Sequence, residues 1–273
     1  MTQCSYPKII IITPSYNQGE FLEKTILSVL EQGYSNLEYI IIDGGSSDNS
    51  VEIIKKYEKF IFHWESGPDG GQVSAINKGL AMASGDWVGW QNSDDIYYPG
   101  FFHEASKLIL ENKKLDLIMA NLNIIDADDN LIRDVKYVLP DYFSMLAEGM
   151  LLANQSCLWK KEIHQDLGFL DPKYSCAFDY DWFLKVFKYT DNVKLISKPY
   201  GAIRFHSATK TSLVAEVFAK EFQLILYGRS PTAFQIIYSK LKRTLKYLFM
   251  GEIGYIFRGI TLRFSGYFSR LFA

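Results

Sequence analysis

The fold is decided near the start of the chain by Lys8-Ile-Ile-Ile-Ile-Thr-Pro-Ser-Tyr-Asn-Gln-Gly19 and Leu37-Glu-Tyr-Ile-Ile-Ile-Asp43. The four isoleucines predict a buried β-strand that ends at Pro14 in a polar turn, and the second run predicts another strand. Between them, apolar side chains recur at helical spacing at Leu22, Ile26, Val29 and Leu30. The three elements together predict a β-α-β unit with parallel strands.

Polar residues stand where both of these strands end. Thr13 to Asn17 close the first strand, and Asp43 closes the second and leads into Gly44-Gly-Ser-Ser-Asp-Asn-Ser50. In open α/β sheets, ligands bind in a crevice outside the carboxyl ends of the strands. We therefore expect a ligand to bind beside these two loops.

Two adjacent acids follow another apolar run, in Trp90-Gln-Asn-Ser-Asp-Asp-Ile-Tyr-Tyr-Pro99. Carboxylates such as Asp94 and Asp95, together with phosphate oxygens, hold Mg²⁺ or Mn²⁺ where a diphosphate must leave. Taken alone, an acid pair ahead of Tyr and Pro is more often a solvated turn. The surrounding segments decide between these two interpretations.

Several further segments fall in a characteristic order along the chain. They are Thr13-Pro-Ser-Tyr-Asn17, Asp43-Gly-Gly-Ser-Ser-Asp-Asn-Ser50, Glu65-Ser-Gly-Pro-Asp-Gly-Gly71, Ala75-Ile-Asn-Lys-Gly79, Ser84-Gly-Asp86, Asn92-Ser-Asp-Asp95 and Phe178-Asp-Tyr-Asp181. As an ordered set, over roughly residues 7 to 210, they resemble the inverting, family 2 nucleotide-sugar glycosyltransferases of bacterial polysaccharide biosynthesis. The resemblance implies an α/β GT-A fold: a mainly parallel central sheet flanked by helices, with a Rossmann-like nucleotide-binding half.

The resemblance also implies a nucleotide-sugar donor, with a UDP-sugar as the first choice, and a set of residues that bind it: Thr13, Pro14, Ser15, Asn17, Asp43, Asp69, Lys78, Asn92 and Ser93. An acceptor oxygen at Asp43 suits an imide N–H such as that of uracil, and Lys78 can neutralise a diphosphate. Two alternatives stay open. Asp43 can simply end a strand, and Lys78 can be a surface residue of a helix expected over Val73 to Ala83.

The implied metal ligands are Asp94, Asp95 and His206, with Mn²⁺ or Mg²⁺ as the cation. The family often has an acid where this chain has Asn92, so Asp94 is the preferred direct ligand. Asp95 would ligate through water or hold the loop, and one or two carboxylates suffice because Mg²⁺ keeps waters and borrows substrate phosphates. His206 lies in an Arg-x-His segment and contacts metal or diphosphate, unless it is only a structural hydrogen-bonding group.

The resemblance places the general base at Asp179, in Ser175-Cys-Ala-Phe-Asp-Tyr-Asp-Trp-Phe-Leu-Lys185. In an inverting displacement the base takes a proton from the acceptor hydroxyl. Phe178 stands where the family usually has Glu, and an acid in the first turn can instead stabilise the helix start. Asp181 is the second choice and more typical of a structural acid. The predicted acceptor-binding residues are Asn154, Gln155, Asp181 and Arg204.

Composition limits the class of protein. The chain has 273 residues, 48% of them hydrophobic, which suffices for one large α/β core and an appendage. Cys4, Cys157 and Cys176 show no paired spacing, no secretory signal is evident, and no run of 18 apolar residues occurs. We therefore expect a cytoplasmic protein.

The C-terminal tail differs in charge from the rest. Residues 228–273 hold eight basic groups and one acid, a net charge of +7, whereas the whole chain carries −2. On a helical wheel one apolar face contains Phe257, Ile260, Phe264, Tyr267, Phe268 and Leu271. This pattern predicts an interfacial helix on an anionic membrane, at the inner face of the plasma membrane. Packing on protein is the alternative, and no nucleic-acid recognition motif is present.

The predicted organisation is a catalytic domain over 1–212 and a helical cationic tail over 213–273. Within the domain, 1–98 would bind the nucleotide sugar and 99–212 the acceptor. Strands are expected around Leu117-Ile-Met-Ala and Leu122-Asn-Ile-Ile, followed by a hairpin-like turn at Asp126-Ala-Asp-Asp-Asn130.

The predicted activity is metal-assisted transfer of a sugar, with inversion, to a hydroxyl of a glycan or lipid-linked acceptor. A sugar nucleotidyltransferase would also be α/β with an Asp-bound metal, but it would need a basic, glycine-rich loop where Thr13 to Asn17 lie. A catalytically inactive nucleotide-sugar-binding module is the third possibility, which Asn92 keeps open.

Overall fold

The computed structural model describes residues 6–206 and 215–258 as a mixed α/β fold. Its strands are β1 (Ile9–Ser15), β2 (Leu37–Asp43), β3 (His63–Ser66), β4 (Trp87–Trp90), β5 (Ile96–Tyr97), β6 (Leu117–Ile125), β7 (Leu131–Val135), β8 (Cys157–Lys160) and β9 (Val193–Arg204). Its helices are α1 (Leu22–Leu30), α2 (Ser50–Tyr57), α3 (Gln72–Met82), α4 (Phe101–Glu111), α5 (Tyr142–Glu148), α6 (Ile163–Leu167), α7 (Phe178–Tyr189), α8 (Ala215–Ile225) and α9 (Ala233–Phe249).

Four parallel strands form the first half of the sheet in the order β3-β2-β1-β4. Successive side chains of β1 point to opposite faces, so Ile9 and Ile11 enter one core while Ile10 and Ile12 enter the other. β2 has the bounds predicted from the sequence, and α3 lies within one residue of its predicted bounds. The Rossmann-like half of the predicted fold is confirmed.

The expectation that β1 ends at Pro14 is wrong, because the strand continues to Ser15. Pro14 pairs with Ile42 of β2, but on the other side β4 is paired with β1 only from Ile9 to Ile12. A proline lacks the N–H that a strand between two neighbours would use. At Pro14 the strand needs hydrogen bonds on one side only, so the residue is tolerated.

The second half of the sheet is mixed and continues in the order β8-β6-β9-β5. β8 runs antiparallel to β4 and β6, β9 runs parallel to β6, and β7 forms a hairpin with β6 across the predicted turn. The two strands expected at 117–120 and 122–125 are one strand. Asn121 does not interrupt it, because its side chain donates to the carbonyl of Ser197 and accepts from the backbone N–H of Tyr137.

Helices α8 and α9 confirm the predicted C-terminal helices. α9 packs against α5, where Arg243 forms an ion pair with Glu148. Of the predicted interfacial face, only Phe257 lies within the described residues, and the other five positions lie outside them. Within the described part of the chain, none of the helices combines the length and apolar character required to cross a membrane.

Candidate active site

A cleft of about 990 Å³ opens at the carboxyl ends of β1 and β4 and extends over the second half of the sheet. Its walls come from the loops after these strands, from the β6–β7 hairpin, from the segment before β8 and from the start of α7. The topology therefore places the predicted donor-binding loops and the predicted base around one cavity. The predicted site residues that line it are Pro14, Ser15, Asp69, Asn92, Ser93, Asp94, Asp95, Asn154, Gln155, Asp179 and Arg204.

The end of β1 forms one wall of the cleft. The Ser15 hydroxyl is buried and has no hydrogen-bond partner among the described residues. A buried polar group of this kind is normally paired, so a polar ligand in the cleft is a fitting partner. Thr13 lies deeper, and its hydroxyl pairs with that of Tyr39 at 3.1 Å. Asn17 has a positive φ of 51° and accepts a hydrogen bond from the backbone of Ser47.

Asp43 organises the loop that follows β2. Its Oδ2 accepts hydrogen bonds from the backbone N–H groups of Gly45 and Ser46 and from the hydroxyl of Ser66, and its Oδ1 accepts from the hydroxyl of Ser46. The side chain is 1% exposed and lies behind the cleft wall. The observed contacts correspond to the interpretation that Asp43 ends the strand and shapes the following loop, and its hydrogen bond to a nucleotide base stays a prediction.

The two donor-binding residues predicted on the next loop and helix lie in different places. Asp69 lines the cleft and accepts a hydrogen bond from the N–H of Gly71 at 2.7 Å. Lys78 is half exposed on α3, forms an ion pair with Glu65 and is not among the cleft-lining residues. Its contact with a diphosphate stays a prediction that would require the side chain to leave Glu65.

Asp95 is held inside the loop after β4, residues 91–95, which carries predicted metal ligands and is called the metal loop below. Its Oδ2 accepts from the amides of Gln155 at 2.7 Å and Asn92 at 3.0 Å, and its Oδ1 accepts from the backbone N–H of Arg204 at 2.8 Å. Burial raises the pKa of Asp95 to about 8, and the negative charge of Asp94 adds to the effect. Of its two predicted roles, the observed contacts correspond to holding the loop, and ligation through water stays a prediction.

The amide at Asn92 fits this network better than a carboxylate would. Its Nδ2 donates to Asp95, and its Oδ1 accepts from the side chain of Gln72 at 3.1 Å. An aspartate at this position could not donate to Asp95 when ionised and would bring a further negative charge into the loop of Asp94. The departure from the usual family pattern thus has a local physical reason.

Asp94 faces His206 at the cleft. His206 Nε2 lies 3.1 Å from Asp94 Oδ2, and the imidazole packs on the ring of Phe21 at 4.5 Å. Arg204 is fully buried; its Nε donates to the carbonyl of Asp94, and its guanidinium forms an ion pair with Asp129 in the β6–β7 turn. Arg204 therefore positions the metal loop, and a direct contact with acceptor or phosphate stays a prediction.

The remaining predicted residues come from the segment before β8 and from the first turn of α7. Asn154 donates to the carbonyl of Trp90 at 3.4 Å, while the buried Oε1 of Gln155 has no partner among the described residues. Asp179 lines the cleft at the first turn of α7, and its Oδ1 accepts from the N–H of Tyr180. Asp181 is buried, forms an ion pair with Lys185 one turn along and does not line the cleft.

Some cleft residues were not predicted from the sequence. Gln72 begins α3 directly after Gly70 and Gly71, and this position after a glycine loop could have marked it in the sequence as a candidate site residue. Arg133 lines the cleft from the exposed strand β7, and nothing in its neighbourhood in the sequence marks it. The wall beside it is apolar and is formed by Leu122, Ile124, Val135, Tyr137, Met150, Leu152 and Phe218.

Residues 10–160 match the family model described as Glycosyl transferase family 2, which is more than half of the 273-residue chain. The chain belongs to glycosyltransferase family 2. The match contains the loops after β1, β2 and β4, and it ends before α7, so Asp179 and His206 lie outside it.

Related sequences are described as uncharacterized glycosyltransferases. An uncharacterized glycosyltransferase of Rickettsia typhi is 28% identical over 234 residues, covering 78% of this chain and 69% of the relative. One of Mycobacterium tuberculosis is 41% identical over 94 residues, covering 34% of this chain and 36% of the relative. The chain spans only 30% of a similar relative from Rickettsia bellii, at 29% identity over 218 residues and 74% of this chain.

Solved glycosyltransferase structures share the fold. S. aureus TarS 1–349 in complex with UDP-GlcNAc superposes with a TM-score of 0.66 at 16% identity, covering 85% of this chain and 69% of that one. The mannosyltransferase PcManGT from Pyrobaculum calidifontis, in complex with GDP-Man and Mn²⁺, gives a TM-score of 0.57 at 16% identity, covering 90% and 70%. The predicted GT-A fold is confirmed.

Proposed function

We propose that this glycosyltransferase moves a sugar from a nucleoside-diphosphate sugar, a UDP-sugar first among them, to a hydroxyl of a glycan or lipid-linked acceptor, with inversion at the anomeric carbon. The observation that carries the proposal is the cleft itself, which both Asp94 and Asp179 line and where His206 contacts Asp94. The UDP-GlcNAc and GDP-Man bound by the two similar structures support the class of donor.

The residues at Asp94 fit a divalent cation with few protein ligands. Neighbouring ligands of an octahedral ion with bonds of ~2.1 Å stand about 3 Å apart, and Asp94 Oδ2 and His206 Nε2 are 3.1 Å apart. No group of three or more acidic, histidine or cysteine side chains within ligating reach occurs among the described residues. Asp94 and His206 would therefore hold Mn²⁺ or Mg²⁺ together with diphosphate oxygens and water. When bound, the cation stabilises the negative charge of the leaving diphosphate.

Asp179 supplies the base in the proposed displacement. Its carboxylate takes the proton of the acceptor hydroxyl while the hydroxyl oxygen bonds to the anomeric carbon and the bond from that carbon to the diphosphate breaks. The base must stand on the face opposite the leaving group, and Asp179 and Asp94 line the same cleft from different elements, α7 and the loop after β4. The apolar wall beside Arg133 suits an acceptor with a lipid portion.

The site of action belongs to the same proposal. We expect peripheral attachment at the cytoplasmic face of the plasma membrane and a place in polysaccharide assembly, because residues 228–273 are strongly basic while the rest of the chain is acidic.

A panel of nucleotide sugars tests the function. The full chain is incubated with UDP-, GDP- and dTDP-sugars, with and without Mn²⁺, and the released nucleotide is identified. We expect Mn²⁺-dependent release of a nucleoside diphosphate from one nucleotide class. Formation of pyrophosphate from a nucleoside triphosphate and a sugar 1-phosphate would instead identify a nucleotidyltransferase, and tight donor binding without any turnover would identify an inactive module.

A further inference from the structure

Helix α9 is amphipathic in the reverse of the usual sense, since its polar face is the one that packs on the domain. Ser239 and Arg243 donate to the two carboxylate oxygens of Glu148 at 2.7 and 2.9 Å. Lys242 forms an ion pair with Asp141 at 2.6 Å, and the Tyr247 hydroxyl donates to the carbonyl of Lys136 at 2.7 Å. These contacts anchor the helix to α5 and to the segment before it.

The opposite face of α9 is apolar and exposed. It forms an outer stripe whose members are Phe234, Ile237, Tyr238, Leu241, Leu245, Leu248 and Phe249. At ~100° per residue these side chains occupy an arc of about 120° centred opposite Arg243. Phe234 is 77% exposed, Ile237 66% and Phe249 88%. A soluble helix normally turns such a face inward, and a continuous exposed apolar stripe marks an interaction surface.

The charge of α9 identifies the kind of partner. The helix contains Lys240, Lys242, Arg243 and Lys246 and no acidic residue. Lys240 is exposed on the flank of the outer stripe, and no acid pairs with it within the described ranges. Two copies of α9 placed face to face would bring the unneutralised charges of their Lys240 side chains to one surface, whereas anionic lipid headgroups would neutralise this charge. Apolar side chains flanked by lysines are the pattern of a helix that lies in a membrane interface.

We propose that the outer stripe of α9 is a docking surface for an anionic lipid bilayer, with its apolar side chains entering the headgroup boundary. This surface differs from the face predicted from the sequence, which begins at Phe257 and falls mostly outside the described residues. It also lies on the half of the chain predicted to bind the acceptor: Glu148, which holds α9, is two positions along the chain from the cleft-lining Met150. If the proposed function is correct, a docked α9 brings a lipid-linked acceptor to the apolar end of the cleft.

Vesicle sedimentation tests the proposal with the full chain. Vesicles of phosphatidylglycerol are compared with vesicles of phosphatidylcholine, using wild type and the triple variant Ile237→Ser, Leu241→Ser, Leu245→Ser. The matched control is Phe60→Ser with Phe62→Ser, two exposed aromatics of the nucleotide half, at 70% and 59% exposure. We expect wild type to bind the anionic vesicles, the triple variant to bind at least about tenfold more weakly, and the control pair to bind like wild type.

Equal binding of wild type and the triple variant to anionic vesicles would overturn the proposal. So would a concentration-dependent dimer in light scattering that the triple variant abolishes without any vesicle binding, because the stripe would then contact a second copy. Nucleotide-sugar affinity, measured on the same samples, should be unchanged in the triple variant. A protein that binds vesicles but no nucleotide sugar would leave the docking surface intact and refute only the proposed function.

Discussion

Two buried carboxylates beside the cleft are held in different ways. Asp43, in the nucleotide half, is bonded to three residues within 23 positions of it in the chain. Asp95, at the junction, depends on Gln155 and Arg204, which are 60 and 109 positions away. The donor loops are therefore shaped mainly by local bonds. The geometry of the metal loop instead depends on correct packing of the second half against the first.

The largest expected effect is a loss of sugar transfer that leaves donor binding intact. Asp179→Asn keeps the size of the side chain but removes a base that can accept the acceptor proton. We expect transfer to fall by on the order of 10²–10⁴, the usual contribution of a positioned base, while donor binding in the other half persists. Steady-state transfer and equilibrium donor binding, measured on one preparation, check this.

Asp181→Asn is the matched control for that prediction. Its carboxylate pairs with Lys185 and does not line the cleft, so we expect a cost mainly in stability. The reverse ranking of the two variants in transfer rate, at equal folded fraction, would make Asp181 the base.

The second half should also respond to acid through a buried histidine. His164 stacks on Trp182, its Nε2 accepts from the indole of Trp159, and its Nδ1–H therefore donates to the carbonyl of Gly168. Burial lowers the pKa of His164 from 6.5 to about 4. The unfolded chain then binds more protons than the folded one between these values, so stability is lost as pH falls from about 6.5 to 4, by about 3 kcal/mol.

Urea unfolding of wild type and His164→Gln at pH 7 and pH 4.5 measures this contribution. We expect the difference between the two proteins to shrink at the lower pH, because only wild type must take up the proton. Parallel losses of stability in both proteins would rule out His164 as the source.

The packing around Gln155, which holds Asp95, can be tested by adding one methyl group. A Cβ on Gly201 of β9 would stand 2.2 Å from the backbone oxygen of Gln155, the residue that holds Asp95. We expect Gly201→Ala to cost about 1–3 kcal/mol by overpacking and to weaken metal-dependent donor binding. Gly254→Ala is the control, since a Cβ there meets nothing within 4 Å. Denaturant unfolding measures the stability of both variants. Equal stabilities of Gly201→Ala and Gly254→Ala would contradict the tight contact at Gly201.

The smallest effect is expected at Lys78 in the nucleotide half. Its ion pair with Glu65 is half exposed and is worth about 0–1 kcal/mol. We expect Lys78→Ala to change the free energy of unfolding by no more than about 1 kcal/mol and to change the donor affinity only slightly. A loss of donor affinity beyond about tenfold would show that the lysine leaves Glu65 to bind the diphosphate, as the family resemblance implies.

The same contrast explains what could be predicted from the sequence. β2 and α3 follow from local periodicity, and the loops at their ends follow from motifs with known meaning. The hydrogen bonds from Gln155 and Arg204 to Asp95 could not be predicted, because they join segments that meet only in the folded sheet. Pro14 and Asn121 were misjudged for a related reason: β4 is not paired with β1 beside Pro14, β9 accepts the hydrogen bond of Asn121, and the local pattern reveals neither.

The central claim is that Asp94 holds the cation at the donor diphosphate, and Mn²⁺-dependent binding of a UDP-sugar tests it most directly. A ligand at 100 times its Kd stabilises the folded state by roughly 2.7 kcal/mol, which thermal unfolding detects readily. We predict that Mn²⁺ increases this stabilisation in wild type and in the exposed-turn control Asp128→Ala. Asp94→Ala should lose the Mn²⁺-dependent part while its fold survives. An unchanged response to Mn²⁺ in Asp94→Ala would contradict the assignment.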